Sequence, residues 1–224
     1  MMNENKREMF FKKIELDILS IIDTMAEYEY LRLEELNAQN TALVIINMVN
    51  GFCRDGILHS KRIEDIIPIV SELASRCAKM KIKTLAISDA HDEDCSEFRF
   101  LPKHCVKGTA ENQLIDELKA IAGCKYIEKN SANGFHAPGF QKFMIEHPDI
   151  DTYLVCGNCT EGSIMNFCIT LKTYLDQFNK KSKIIVPMNA IETYDMDNHN
   201  GELCNITAVK IMADFGINIV KGVL

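Results

Sequence analysis

The chain has no long apolar run and no cluster of basic residues, and these two absences exclude several classes of protein. Among its 224 residues, no apolar stretch approaches the roughly 18–20 residues that a membrane-spanning helix needs. The 25 Lys and Arg residues are dispersed, and the net charge is −7. We therefore expect neither nucleic acid nor a membrane as a partner, because both attract positively charged proteins.

Signals for secretion are absent as well. Residues 1–8 are charged, and no signal-peptide core ending in small residues follows them. The nine cysteines are an odd number, scattered and mostly embedded in apolar segments. That pattern predicts reduced core thiols rather than a disulfide framework, so we expect a cytoplasmic protein.

Short apolar runs alternate along the chain with segments of helical periodicity. The runs, which we interpret as strands, are 42–46, 84–87, 126–127, 153–155, 184–186 and 217–220. The helical segments between them are 63–80, 110–121, 140–146, 163–178 and 201–215. This alternation predicts a three-layer α/β/α domain, Rossmann-like and doubly wound, with a mainly parallel six-stranded sheet. Residues 9–36 have helical spacing, so we divide the chain into a helical N-terminal extension (1–40), packed on a single domain (41–224).

Polar residues follow the predicted strands, where a parallel sheet binds its ligands. They are Asn47 after the first strand, Asp89 and His91 after the second, Lys129 after the third, Ser163 after the fourth, and Asn189 and Thr193 after the fifth. Because these ends lie along one edge of the sheet, we expect a functional site there.

Asp89, His91 and His104 are candidate metal ligands. Residues two apart in an extended segment face the same side, so Asp89 and His91 can both address one cation. Two imidazoles and a carboxylate suit zinc, iron or manganese. On spacing alone, an exposed acidic loop holding a solvated histidine is the more common outcome.

Ser163 lies where an apolar run breaks at Gly157 and a helical pattern begins. A nucleophile at the start of a helix can attack a carbonyl carbon while backbone N–H groups stabilise the developing oxyanion. Cysteine is best suited to that position, because the helix N-terminus stabilises a thiolate. This chain has nine cysteines but places a serine there.

Three other features have alternative interpretations. Lys129 can stabilise an oxyanion, or it can be a surface lysine beside Glu128. The pair Cys156 and Cys159 has the spacing of a redox motif, but Cys156 lies within an apolar run, which favours packing. His199 lies in an Asn- and Asp-rich stretch typical of a loop and helix cap.

Taken together, these segments resemble the isochorismatase-like superfamily of cysteine hydrolases, which includes the nicotinamidases. The resemblance extends from about residue 41 to the C-terminus and depends on motifs in a fixed order. They are 46–52 (INMVNGF), 88–91 (SDAH) with 96–98 (SEF), 102–109 (PKHCVKGT), 128–131 (EKNS) and 157–163 (GNCTEGS).

The resemblance implies a role for each site position. Active members use an Asp–Lys–Cys triad to cleave an amide through a thioester, and in this chain the three positions are Asn47, Lys129 and Ser163. The metal positions of nicotinamidase-type members correspond to Asp89, His91 and His104, which are all retained. From the same motifs, we expect Phe52, Cys159 and Gly162 to bind the substrate.

The two replaced positions decide what we expect of the activity. An amide cannot act as a general acid or base, and a hydroxyl needs an adjacent base to become a nucleophile. We therefore predict a hydrolase homologue for C–N bonds of small amides whose activity is reduced or lost. The alternatives are an active hydrolase that uses a Ser163–Lys129 pair, and a non-catalytic protein that binds a small molecule.

The resemblance also predicts what binds to the chain. We expect a small-molecule amide or a related ligand, a divalent metal (zinc, iron or manganese) and no organic cofactor. Family members usually form dimers or tetramers, so we expect a homo-oligomer, to which the apolar N-terminal helix can add an interface.

Overall fold

A computed structural model describes residues 3–224, and within them the chain forms one seven-stranded sheet. The strands are β1 (Thr41–Ile46), β2 (Lys83–Asp89), β3 (Cys124–Lys129), β4 (Thr152–Asn158), β5 (Lys183–Pro187), β6 (Ile191–Glu192) and β7 (Asn218–Val220). The strand order is β3-β2-β1-β4-β5-β7, and β6 pairs with β4. Every pairing is parallel, as predicted.

The first α-helix precedes β1, and the other α-helices lie between strands. They are α1 (Glu4–Ala26), α2 (Asn50–Cys53), α3 (Lys61–Asp65), α4 (Ile67–Lys79), α5 (Asp116–Lys119), α6 (Pro138–Glu146), α7 (Met165–Gln177) and α8 (Gly201–Asp214). A π-helical turn at Thr160–Ile164 leads from β4 into α7.

The sheet divides the core into two apolar clusters, one on each face. Successive residues of a strand point to opposite faces. In β1, Leu43 and Ile45 join the cluster that contains Val70 of α4. Val44 joins the other cluster, which contains Phe167 of α7. The three-layer α/β/α arrangement predicted from the sequence is therefore confirmed.

The sheet has seven strands rather than the predicted six. The additional strand, β6, has two residues, and it pairs Ile191 with Gly157 and Glu192 with Asn158. A two-residue strand has no periodicity of its own, so the sequence pattern could not reveal it.

Three predicted helices have different limits in the structure, and the reason differs from one helix to the next. The segment 63–80 is divided at Ile66, because Pro68 follows at the start of α4 and cannot donate a backbone hydrogen bond. The segment 110–121 is helical only over α5, since the carbonyls of Glu111 and Gln113 accept hydrogen bonds from Gly51 and Asn50 instead. The N-terminal helix ends at Ala26, and residues 29–33 pair with the C-terminal residues 221–224.

Helix α1 exposes most of its apolar side chains. None of its residues is buried, and the exposed large ones include Met9, Phe11, Leu16 and Leu19. Over residues 3–224, no helix has both the length and the hydropathy that crossing a membrane requires.

Candidate functional site

Asn47 lies at the centre of the polar cluster at the carboxyl ends of β1 to β4. Its Oδ1 accepts the backbone N–H of Asp89 at 3.0 Å, and its Nδ2 donates to Asp89 Oδ2 at 2.8 Å. The same Nδ2 donates to Ser163 Oγ at 3.2 Å. Because the backbone N–H requires Oδ1 as its acceptor, these contacts determine the orientation of the amide. The amide group therefore lies between the carboxylate and the hydroxyl.

The backbone around Asn47 is shaped for this position. Asn47 has a φ of 55°, in the left-handed region that Asn and Asp tolerate better than most residues. Its carbonyl oxygen accepts Asn158 Nδ2 at 2.8 Å, which joins the ends of β1 and β4. Asn158 is fully buried, and sequence reasoning missed this positioning role although the residue stands within the last motif.

Lys129 is buried and forms an ion pair with Asp89. Its ammonium contacts Asp89 Oδ1 and donates to the Ser131 carbonyl at 3.1 Å. Lys129 is 2% exposed, so the alternative of a surface lysine is wrong. Because residue 47 is not a carboxylate, the charge partner of Lys129 is Asp89.

Asp89, His91 and His104 converge in a buried group that fits a metal ion. One ligand atom from each lies within 4.8 Å of the others. His91 Nε2 is 3.5 Å from Asp89 Oδ1, and His104 Nε2 is 3.9 Å from Asp89 Oδ2. All three side chains are at most 4% exposed, so the alternative of a solvated acidic loop does not describe them.

The outer contacts of the two imidazoles favour metal binding. His104 Nδ1 lies 2.8 Å from the Pro102 carbonyl, which needs a donor, so the proton belongs on Nδ1 and the lone pair on Nε2. His91 Nδ1 contacts Cys95 Sγ, whose own S–H faces the Asn130 carbonyl. Both histidines can thus direct an Nε2 lone pair towards the carboxylate. Two lone pairs and an anion facing one another are the donor set of a divalent cation.

Ser163 lies in the π-helical turn before α7 and is 5% exposed. Its backbone N–H donates to the Cys159 carbonyl at 2.9 Å, and the N–H of Ile164 donates to the same oxygen at 3.0 Å. The N–H of Ser163 is therefore engaged within the turn rather than free for an oxyanion. The hydroxyl accepts from Asn47, and the described side-chain contacts bring no carboxylate to it.

A cavity of about 150 Å³ opens beside these residues. Its apolar wall consists of Phe52, Leu58, Leu101, Ala132, Cys159 and Tyr194. Its polar wall consists of Asn47, Asp89, Glu97, His104, Glu161 and Ser163, with Gly162 beside them. The sequence motifs predicted that Phe52, Cys159 and Gly162 line the site. They did not predict Leu58, Leu101 or Tyr194, which come from connecting segments that carry no motif.

The cysteine pair 156 and 159 does not have the character of a redox motif. Burial, and next the Glu161 carboxylate, raise the pKa of the Cys159 thiol well above its usual value. Burial also raises the pKa of Cys156. Both thiols are accordingly held in the protonated form, which supports the packing interpretation.

Of the other polar residues in the connecting segments, Thr193 and His199 contact Glu161 beside this site, whereas Asn189 and His136 lie elsewhere. Thr193 is buried and its hydroxyl donates to Glu161 at 3.1 Å. His199 precedes the cap of α8, as expected of a loop, and its Nε2 also lies 2.9 Å from Glu161. Asn189 lies apart, in a groove with Arg76 and Val223. His136 is exposed on a short turn.

Comparison with known proteins assigns the chain to a family. The sequence profile of the isochorismatase domain matches residues 41–214, which is most of the chain. The chain belongs to the isochorismatase family. Among curated proteins, Nicotinamidase 1 of Arabidopsis thaliana is similar to this isochorismatase-family chain, with 27% identity over 177 residues. The match covers 71% of this chain and 72% of the relative.

Solved structures show the same fold at low sequence identity. A Pyrococcus horikoshii pyrazinamidase in complex with zinc superposes with a TM-score of 0.66 at 21% identity, over 81% of this chain and 99% of that one. The PnC1 protein of L. infantum in complex with nicotinate has a TM-score of 0.69 at 17% identity, over 84% and 97% of the two chains. The isochorismatase-like hydrolase fold is therefore common to all three.

Proposed function

We propose that this isochorismatase-family protein binds a small amide or a related compound in the cavity beside Ser163, and that its amidase activity is strongly reduced or lost. The observation that carries the proposal is the position of the Asn47 amide, which donates to both Asp89 Oδ2 and Ser163 Oγ. A group that donates to the hydroxyl cannot remove its proton. Among residues 3–224, Ser163 therefore has no base beside it.

The contacts of Lys129 weigh against an active Ser163–Lys129 pair. An amine can serve as a base only with a free lone pair, but this ammonium is bound to the Asp89 carboxylate and the Ser131 carbonyl. Among the described residues, no hydrogen bond joins Lys129 to Ser163. We therefore place Lys129 as the charge partner of Asp89 and rank the Ser163–Lys129 hydrolase second.

The remaining site residues support ligand binding. Asp89, His91 and His104 would hold a divalent cation, with zinc, iron and manganese all compatible with two imidazoles and one carboxylate. Such a cation, when bound, polarises and orients a nitrogen or oxygen of the ligand. Phe52 would pack against an apolar ring, and Cys159 and Gly162 would line its other side. The chain's own part is to orient the ligand and to keep water out.

Ammonia release measures the proposed loss of activity. The panel contains nicotinamide and small carbamoyl compounds, each with and without zinc or manganese. The variants are Ser163→Ala, Ser163→Cys, Asn47→Asp and the Ser163→Cys/Asn47→Asp double variant. We expect the unmodified chain to release no more ammonia than Ser163→Ala. The double variant should release ammonia, because it has a thiol and a carboxylate at the two replaced positions.

Two outcomes contradict the proposal in different ways. Turnover by the unmodified chain that Ser163→Ala abolishes supports the serine hydrolase instead. An inactive double variant that also binds none of the amides in a calorimetric titration means that the cavity does not hold this class of ligand.

We also propose that the chain is cytoplasmic and that it forms a homo-oligomer. The nine cysteines are all unpaired thiols, which supports a reducing, cytoplasmic environment. The exposed apolar side chains of α1, among them Phe11 and Leu16, support a homo-oligomer in which this helix is covered. Sedimentation that shows only monomers would reject the oligomer. We also treat residues 1–40 as an extension of the hydrolase domain.

A further inference from the structure

Glu161 presents an unusual carboxylate two residues before Ser163. Its Oε1 accepts the Thr193 hydroxyl at 3.1 Å and contacts His199 Nε2 at 2.9 Å. Its Oε2 is buried and has no hydrogen-bond partner among the described residues. A buried acceptor without a donor is unfavourable, and most such groups in proteins acquire a partner from protein, water or ligand.

The neighbours of Glu161 hold it in the wall of the cavity. Tyr194, which also lines the cavity, stacks on His199 with ring centroids 4.1 Å apart. His199 Nδ1 in turn lies 2.9 Å from the Tyr194 carbonyl. Glu161 Oε1 is thus held by Thr193 and by His199, and Tyr194 packs against His199. Oε2 is the oxygen that remains unsatisfied.

The charge and size of the cavity restrict the ligand. Among the described residues that line it, Asp89, Glu97 and Glu161 are acidic, and no Lys or Arg is present. Asp89 is paired with Lys129, Glu161 is paired through Oε1 with the His199 imidazole, and Glu97 Oε1 accepts the N–H of Ala132 at 2.9 Å. A volume of about 150 Å³ is that of a site for a single six-membered ring.

We propose that Glu161 is a specificity-determining residue, which selects ring-sized ligands that present an N–H or cationic donor and disfavours carboxylates. A ligand donor that reaches Oε2 supplies the partner that this oxygen lacks, whereas a ligand carboxylate would bring a second acceptor and no donor. The inference rests on the proposed function, since it concerns the ligand of the same cavity.

The test compares three probes that share one ring and differ in charge. They are benzamidine, benzamide and benzoate, titrated by calorimetry into the chain as purified. The decisive variant is Glu161→Gln, because its Oε1 still accepts from Thr193 and His199 while the second atom becomes a donor. Glu97→Gln is the matched control, since it removes one carboxylate of the same cavity whose oxygen already has a backbone donor.

We expect the unmodified chain to bind benzamidine most tightly and benzoate most weakly. Glu161→Gln should weaken benzamidine binding by about tenfold or more, the usual effect of losing a charged hydrogen bond, and should strengthen benzoate binding. Glu97→Gln should change the ratio of the benzamidine and benzoate dissociation constants less than Glu161→Gln does. Thermal unfolding of both variants checks that the fold is retained.

The possible failures are distinguishable. If the probes bind but Glu161→Gln leaves the ratio unchanged, or if Glu97→Gln changes it equally, the role of Glu161 is overturned and the proposed function stands. If no probe binds to the unmodified chain and the double variant of the ammonia assay is inactive, the cavity proposal fails and this inference fails with it.

Discussion

Asn47 and Asp89 form a reciprocal pair in which the amide of one residue holds both the backbone and the side chain of the other. Asn47 Oδ1 accepts the Asp89 N–H, and Asn47 Nδ2 donates to Asp89 Oδ2. With Lys129 on Oδ1, both oxygens of the carboxylate are engaged. A carboxylate at position 47 could not donate this hydrogen bond, so the two residues depend on each other.

Replacing Asn47 with Asp tests this dependence directly. The variant keeps a residue type that tolerates a positive φ, but it places a second carboxylate where Nδ2 was 2.8 Å from Asp89 Oδ2. We expect the free energy of unfolding to fall by about 1–3 kcal/mol, the effect of a buried hydrogen bond turned into a repulsion. Zinc should recover more stability in the variant than in the unmodified chain, as measured by thermal unfolding.

Asn133→Asp is the control for that substitution. Asn133 Nδ2 donates to the Thr170 hydroxyl, which can reverse and donate to a carboxylate. A loss of stability as large in Asn133→Asp as in Asn47→Asp would contradict the argument.

The buried ion pair between Lys129 and Asp89 is the basis of a second prediction, which concerns the free energy of unfolding. Lys129→Met leaves the charge of the buried Asp89 carboxylate without its ammonium partner. We expect a loss of about 3–5 kcal/mol in urea unfolding, because removing one partner of a buried pair is far more costly than removing an exposed pair. Lys210→Met removes the exposed pair with Asp214 and should cost no more than about 1 kcal/mol. Similar losses in the two variants would show that the Lys129 pair is not buried as described.

The metal group predicts stabilisation by zinc. An ion that binds only the folded state raises stability with its concentration, by about 2.7 kcal/mol at about 100 times its dissociation constant. His104→Ala should lose this stabilisation, since it removes one of the three ligands. His136→Ala, which replaces an exposed histidine outside the group, should retain it. Equal zinc responses in the two variants would place the ion elsewhere.

The buried thiols predict how stability depends on alkaline pH. Burial raises the pKa of Cys77 from 9.0 to about 12. Above pH 9.0 the unfolded state loses this proton while the folded state keeps it, so stability falls as pH rises between these two values. Each such thiol contributes a slope of about 1.4 kcal/mol per pH unit.

Cys77→Ala should therefore have a shallower decline than the unmodified chain, whatever its stability at neutral pH. Cys204→Ala serves for comparison, because Cys204 is only half-buried and should alter the slope less. Urea unfolding at a series of pH values below and above 9.0 measures both slopes. Parallel curves for Cys77→Ala and the unmodified chain are the outcome that the argument does not allow.

The strands were predictable because their signal is local. Apolar runs such as 42–46 are continuous, as expected of strands buried on both faces, and Asn47 and Lys129 stand at the ends of theirs. Parallel connections then require these ends to meet at one edge. The two-residue strand β6 and the shortened helix α5 depended on pairing with distant backbone, which no local pattern records.

The sequence by itself determined the fold class, the order of the strands along the chain and the polar residues at their carboxyl ends, because apolar periodicity and strand connectivity are local properties. Only the tertiary structure decided which partner each polar group takes. Asn47 meets Asp89 and Ser163 across 42 and 116 residues of sequence. The hydrogen bonds and ion pairs of Asn47, Lys129 and Glu161 depend on side-chain distances of a few ångströms, and those distances exist only after the sheet has assembled.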